Sequence, residues 1–176
     1  MTFATADLYD EFEEKLQIAT PMFNDYGGNL KFCGPASTVR VFEDNSLVRA
    51  ALEEPGEGRV LVVDGDASLK CALLGDMLAE LGRDNDWAGI IIYGCIRDSA
   101  VIANMEIGVK ALNTNPRKSV KKGLGERDVA VSFADVIISP GDYIYADEDG
   151  FVVSEDDLAE ENLSDIDTAG QVSKLP

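Results

Sequence analysis

Residues 60–98 read VLVVDGDASLKCALLGDMLAELGRDNDWAGIIIYGCIRD, and the fold turns on this stretch. Val60 to Val63 form a β-branched apolar run, which the turn pair Asp64-Gly65 stops. From Leu69 to Leu81, the residues Leu69, Leu73, Met77, Leu78 and Leu81 recur at helical spacing and predict an apolar helix lying flat on a sheet. Gly89 to Gly94, GIIIYG, is a second apolar run, followed directly by Cys95, Ile96, Arg97 and Asp98. Two strands buried on both faces and joined by a helical crossover form a parallel βαβ unit. Ligands of such units gather beyond the carboxyl ends of the strands, where Asp64, Gly65, Arg97 and Asp98 fall.

Gly75-Asp76 interrupts the helical pattern. A glycine inside a helix costs about 1 kcal/mol, and Asp is also a weak helix former, so the pair predicts a helix start. The helix proper then runs from Asp76 to Gly82, and residues 66–74 are an approach segment with a helical turn of its own. On this reading the amides of Gly75, Asp76, Met77 and Leu78 would bind a carboxylate without a cationic side chain. Close packing of Gly75 on the strand ending at Val63 explains the same glycine, and both readings stand. Arg97-Asp98 is either a structural ion pair at a turn or a functional pair. Arg can clamp a carboxylate or a developing oxyanion, and Asp can hold a divalent cation.

Composition narrows the chemistry. The chain has 176 residues, enough for one domain with its own core, and no disulfide or structural metal is needed to hold it. Cys33, Cys71 and Cys95 are widely spaced in apolar surroundings and read as reduced thiols used as small hydrophobes. The absence of His removes most zinc catalysis and every imidazole base, leaving carboxylates, Arg, Lys, Tyr, backbone groups or a hard cation such as Mg²⁺ or Mn²⁺. With 15 Lys plus Arg against 33 Asp plus Glu, the net charge of -18 opposes direct nucleic-acid binding but allows docking to a basic protein. No leader pattern and no apolar run near 18 residues is present, so no membrane contact and a cytoplasmic location are expected.

Working outward, Ala4 to Leu16 predicts a helix with Leu8, Phe12 and Leu16 inward. Ala36 to Phe42 reads as a strand, and Leu47 to Leu52 as a short helix ended by Pro55 and Gly56. Val101 to Glu106 is a helical or turn segment, and Val109 to Leu112 a short strand. Arg117, Lys118, Lys121 and Lys122 are the chain's one basic concentration, read as contacts to its own carboxylates or a neighbouring subunit in preference to an anion site. Val129–Phe133, Val136–Ile138, Tyr143–Ala146 and Phe151–Val153 are strands separated by tight turns, with Asp149-Gly150 a hairpin signal, so the second half should close or sandwich the sheet. Ser154 should cap a brief acidic helix. The domain is expected over residues 1–157, with 158–176 an acidic, mobile tail.

LYDEFEEKLQIATPMFNDYGG (8–28), the stretch from Phe32 to Asp98, and SPGDYIYADEDGFVVS (139–154) together resemble the RraA-like family. That family includes 4-hydroxy-4-methyl-2-oxoglutarate aldolases of the metal-dependent pyruvate aldolase class and regulators of ribonuclease activity. The resemblance implies an α/β fold: a single compact three-layer β/β/α domain of the swivelling type, assembled as a homotrimer with sites near subunit interfaces. It also implies that Gly75, Asp76, Met77 and Leu78 hold the pyruvyl carboxylate, that Arg97 contacts the keto oxygen, and that Asp98 anchors a divalent metal cation, Mg²⁺ or Mn²⁺. Arg97 and Asp98 are thus the expected catalytic pair, and small 2-oxo acids the expected substrates. Aldolase members often carry a further acidic residue three positions on, where this chain has Val101. The implied activity is cleavage of 4-hydroxy-4-methyl-2-oxoglutarate to two pyruvates, with oxaloacetate decarboxylation through the same enolate. The alternative is inhibition of an RNA-degrading endonuclease by docking through the acidic surface.

Overall fold

The computed structural model describes residues 3–158. Helix α1 (Thr5–Phe12) leads into strands β1 (Leu16–Ile18), β2 (Asn24–Asp25) and β3 (Phe32–Arg40). Then come α2 (Ser46–Leu52), β4 (Val60–Asp64), β5 (Ala72–Leu74), α3 (Asp76–Asp84), β6 (Gly89–Ile96), α4 (Ser99–Ile102) and β7 (Gly108–Thr114). Short strands complete the described chain: β8 (Glu126–Arg127), β9 (Val131–Phe133), β10 (Val136–Ile138), β11 (Tyr143–Asp147) and β12 (Gly150–Ser154).

The expected βαβ unit is present. β4 pairs parallel with β6, β6 with β7, and β3 with β4, giving a parallel core. β3 is long enough to change partners along its length. Phe32 to Pro35 pair antiparallel with β11, and Ala36 to Arg40 pair parallel with β4, so the β1-β12-β11 edge joins the same sheet. Alternation sorts side chains into two cores. Leu61, Val63, Ile90 and Ile92 face α2, α3 and α4 with Val48, Leu52, Leu78 and Ile102. Val60, Val62 and Ile91 face the opposite way, onto the β9-β10 hairpin and the β11-β12 edge through Phe133, Val136, Ile138, Ile144 and Val153. Helices on one face and short strands on the other make the three-layer β/β/α arrangement that the resemblance implies.

Two paired glycines open this sheet for one ring. Gly89 and Gly108 lie opposite each other on β6 and β7, and a methyl group at either would overlap the Phe32 ring. Gly108→Ala is expected to destabilise the fold by about 1–3 kcal/mol through overpacking. A urea midpoint unchanged from wild type would contradict this packing account. A second fixed point is Lys110, whose Nζ donates to Asp25 Oδ1 and to the Asp147 carbonyl, both at 2.7 Å. Asp147 in turn accepts from the Thr5 amide and hydroxyl, each at 2.7 Å, which ties α1 to β11.

Several expected boundaries are corrected. The first helix stops at Phe12, and Leu16 to Ile18 form β1 against β12, where edge-strand hydrogen bonds outweigh continued helix. Residues 72–74 are a strand with no helical turn, because β4 ends at Asp64 and leaves the last residues of β6 open to Ala72 and Leu74. The proposed apolar stripe therefore breaks up, and Leu69 and Met77 are 52% and 70% exposed. The strand expected at 36–42 runs from Phe32 to Arg40, and the one expected from Val129 starts at Val131. Ser154 belongs to β12, and its Oγ accepts from the Asp156 amide at 3.2 Å in a bend where a helix had been expected. Residues 159–176, most of the expected acidic tail, lie outside the described residues. Among the described residues, no helix is long and apolar enough to cross a membrane.

Candidate active site

The site is built where three elements end together. The Arg97 amide donates to the Leu74 carbonyl at 2.9 Å, which sets the last residue of β5 beside the exit of β6. One residue later Gly75, in extended conformation, caps α3, whose first residue is Asp76. Asp98 adopts the left-handed region (φ 57°, ψ 33°), a conformation for which Asp pays less than most residues. That turn brings its carboxylate back across the α3 N-terminus. Asp98 Oδ2 accepts from the Asp76 amide at 3.3 Å and lies 3.6 Å from Arg97 Nε. Asp76 Oδ1 accepts from the Met77 amide at 2.8 Å. The amide row at the start of α3 thus already holds carboxylate oxygen, as the helix dipole and its free N–H groups favour.

Gly75 is explained by the same contacts. A Cβ there would stand 2.9 Å from Asp98 Oδ2 and 3.2 Å from Arg97 Nε, so the missing side chain makes room for Arg97-Asp98. Packing against the strand ending at Val63 does not account for it. Arg97 and Asp98 side chains are 43% and 39% exposed, open to a ligand from solvent.

Gly75, Asp76, Met77, Leu78 and Arg97 line one cleft of about 120 Å³; Asp98 braces it from behind Gly75. The opposite wall was not anticipated from sequence. It comprises Asn45 and Arg49 from the start of α2 together with Lys118, Ser119 and Lys121. The lining therefore carries four cations, Arg49, Arg97, Lys118 and Lys121, against one carboxylate, Asp76, on a chain of net charge -18. Such a cleft selects small anions. The basic concentration does not meet the chain's own carboxylates as expected: among the described residues Lys118 and Lys121 form no ion pair.

Asp44 holds that wall in place. It is buried, and its carboxylate accepts from the Ser46 amide and hydroxyl and from the amides of Lys122 and Leu124. Burial pushes its carboxyl up, but these hydrogen bonds outweigh burial and bring it down to about 2. A carboxyl lowered on folding stabilises the protein above its ordinary value of 3.8 and loses that contribution as the pH falls through about 2. Asp44→Asn should therefore cost roughly 2 kcal/mol near neutral pH, a difference that shrinks as both proteins are acidified. Urea unfolding of the pair near pH 7 and pH 3 measures it, and an equal gap at both would count against the assignment.

The thiols take no part. Burial raises Cys71 and Cys95 above the usual thiol range, which keeps them protonated, and all three cysteines are free. Among the described residues there is no group of three or more Cys, Asp or Glu side chains poised to hold a metal. Asp98 and Asp76 nevertheless fit a hard cation of the Mg²⁺ type, which commonly takes one or two carboxylates and fills its remaining positions with water and substrate oxygen.

The fold and cleft define a class: a layered α/β domain with a small cation-lined cleft at the carboxyl ends of parallel strands. The sequence profile of the RraA-like family, described as Aldolase/RraA, matches residues 5–153, and the chain belongs to that family. A relative from Alkalilimnicola ehrlichii named "Putative 4-hydroxy-4-methyl-2-oxoglutarate aldolase" is 59% identical over 160 residues, covering 91% of this chain and 99% of the relative. A solved structure from Geobacillus kaustophilus, described as an S-adenosylmethionine:2-dimethylmenaquinone methyltransferase, is 53% identical with a TM-score of 0.87, covering 90% of this chain and 98% of that one. The RNA-processing inhibitor RraA from Thermus thermophilis is 42% identical with a TM-score of 0.86, covering 89% and 94%.

Proposed function

We propose that this chain is a divalent-metal-dependent aldolase that cleaves 4-hydroxy-4-methyl-2-oxoglutarate to two pyruvates and decarboxylates oxaloacetate through the same enolate. The observation that carries the reading is the convergence of the α3 N-terminus and Arg97 on one cationic cleft, with Asp98 set against both from behind Gly75. The high identity to relatives bearing the aldolase name supports it.

The chemistry follows from charge. Cleavage removes the proton of the 4-hydroxyl, breaks the C3–C4 bond and leaves the electron pair as an enolate shared by C3 and the C2 oxygen. Protonation at C3 then releases the second pyruvate. The amides of Gly75 to Leu78 bind the C1 carboxylate, those of Asp76 and Met77 by exchanging for it the Asp98 and Asp76 oxygens they hold in the free protein, and the Arg97 guanidinium donates to the C2 oxygen as its charge develops. That contact strengthens toward the transition state, which is what accelerates the step. A divalent cation, Mg²⁺ or Mn²⁺, held by Asp98 with Asp76 nearby would supply Lewis-acid polarisation of the substrate carbonyl. With no His in the chain, a water oriented by a carboxylate carries the proton. Val101 leaves the site one carboxylate short of the fuller family pattern. A homotrimer would let a neighbouring subunit supply one, and a cytoplasmic location suits the substrate.

The names borne by other relatives fit this cleft less well. A small cationic pocket favours neither a sulfonium cofactor nor a prenylated ring. Docking to a basic endonuclease, which the likeness to the Thermus inhibitor suggests, would use the acidic exterior and leave the cations of the cleft unexplained. The deciding assay couples pyruvate release to lactate dehydrogenase with Mg²⁺ or Mn²⁺ supplied. Pyruvate formation lost on chelation is expected; a rate equal to the enzyme-free control would refute the reading.

A further inference from the structure

The carboxylate site uses the backbone amide of Met77 and leaves its side chain without a task. Among the described residues Met77 is the most exposed large apolar side chain, at 70%, and it alone of the exposed ones lines the cleft. A single apolar residue on a surface is ordinary. Its place in the helix makes this one different. Met77 is the second residue of α3, and long side chains on a helix lean back toward its N-terminus. The thioether therefore stands over the turn whose amides face the ligand.

The rest of the lining offers little apolar surface. Ala72, Leu74 and Leu78 are buried, the two leucines in the core beneath the helices. Gly75 has no side chain, and the other residues of the lining are polar or charged. An apolar group on a bound 2-oxo acid thus meets Met77 or water.

We propose that the Met77 side chain is a specificity-determining group of the cleft: it closes over the carbons beyond the keto group and favours 2-oxo acids with a methyl branch at C4 over unbranched ones. This deepens the aldolase reading and rests on it for the seating of the carboxylate and keto groups. Three rotatable bonds and a polarisable sulfur let methionine follow the shape of the branch. Methyl and thioether leave water together, and that burial serves substrate and transition state alike. The preference should therefore show in KM and not in kcat.

The test is binding, so turnover is not required. Calorimetry with saturating Mg²⁺ compares 4-methyl-2-oxopentanoate with 2-oxopentanoate, a pair that differs by one methyl at C4. Neither carries the 4-hydroxyl that retro-aldol cleavage needs. Wild type is expected to bind the branched acid roughly fourfold more tightly, the ratio that burial of one CH₂-sized group gives. Met77→Gln keeps the length and helix propensity of the side chain but makes its end polar, so the ratio should fall to about one. Met77→Leu, an apolar replacement of similar volume, should restore it. Both variants keep the backbone amide, and both should melt near wild type because the side chain is mostly exposed. Equal affinities in wild type, or a ratio unchanged in Met77→Gln, overturns the proposal. So does a smaller native mass for Met77→Gln, which would assign the side chain to an interface between copies. Binding of neither acid overturns it too, and the coupled pyruvate assay then decides whether the aldolase reading falls with it. A protein that shows the ratio, and its loss in Met77→Gln, yet releases no pyruvate keeps this role for Met77 and loses the aldolase.

Discussion

Replacing Arg97 with alanine is expected to lower kcat/KM for 4-hydroxy-4-methyl-2-oxoglutarate by a hundredfold or more, with most of the loss in kcat. The expectation follows from where the guanidinium stands. It lies at the exit of β6 beside the α3 N-terminus, within 3.6 Å of Asp98, and lines the cleft. A donor aimed at an oxygen that gains charge is typically worth about 3 kcal/mol in the transition state and less in the ground state. Lysine in its place keeps the charge but loses the planar fork, so Arg97→Lys should recover only part of the rate. The side chain is 43% exposed and its contacts are local, so the fold should survive either substitution. A thermal midpoint near that of wild type, beside the lost rate, would separate chemistry from stability. A fall in kcat/KM due entirely to a raised KM would mean that Arg97 binds substrate and transition state alike.

Asp98→Ala is expected to abolish metal-dependent pyruvate release, a larger effect still. The substitution removes the one carboxylate that the strand end and the left-handed turn aim across the start of α3. It also replaces Asp at φ 57° with a residue less suited to that region, so Asp98→Asn is the better control for backbone conformation. Asn keeps the turn and an oxygen acceptor but loses the charge that holds a hard cation. If activity depends on a cation at this position, both variants lose turnover at low Mg²⁺, and raising Mg²⁺ partly restores only the Asn form. Retention of full, chelator-sensitive activity in Asp98→Ala would move the cation elsewhere.

How far the sequence foretells this molecule differs from element to element. β4 and β6 are legible because their β-branched runs are buried on both faces and bounded by turn residues. The start of α3 is legible because Gly75-Asp76 cannot sit comfortably inside a helix. β5 is not, since Ala72-Leu73-Leu74 is too short to distinguish strand from helix by period. Its pairing exists only because β4 ends early. Gly75 to Leu78 and Arg97 of the cleft, with Asp98 behind it, fall within one βαβ unit, so local pattern suffices to bring them together. Arg49 and the Lys118–Lys121 segment do not, because they reach the cleft through Asp44, whose partners stand up to 80 residues away in sequence. An acidic residue followed by Asn45 and Ser46 signals a local cap, and nothing in that pattern announces that it grips a distant basic loop.

The central claim is that this cleft makes and stabilises the enolate of a 2-oxo acid. Exchange of the pyruvate methyl protons with deuterium oxide, followed by proton NMR with and without Mg²⁺, tests it most directly, because it isolates enolate formation from carbon–carbon cleavage. Metal-dependent loss of the methyl signal, absent in Arg97→Ala, is the predicted result. Exchange no faster than in buffer with metal alone, or equal exchange in wild type and Arg97→Ala, would contradict the account.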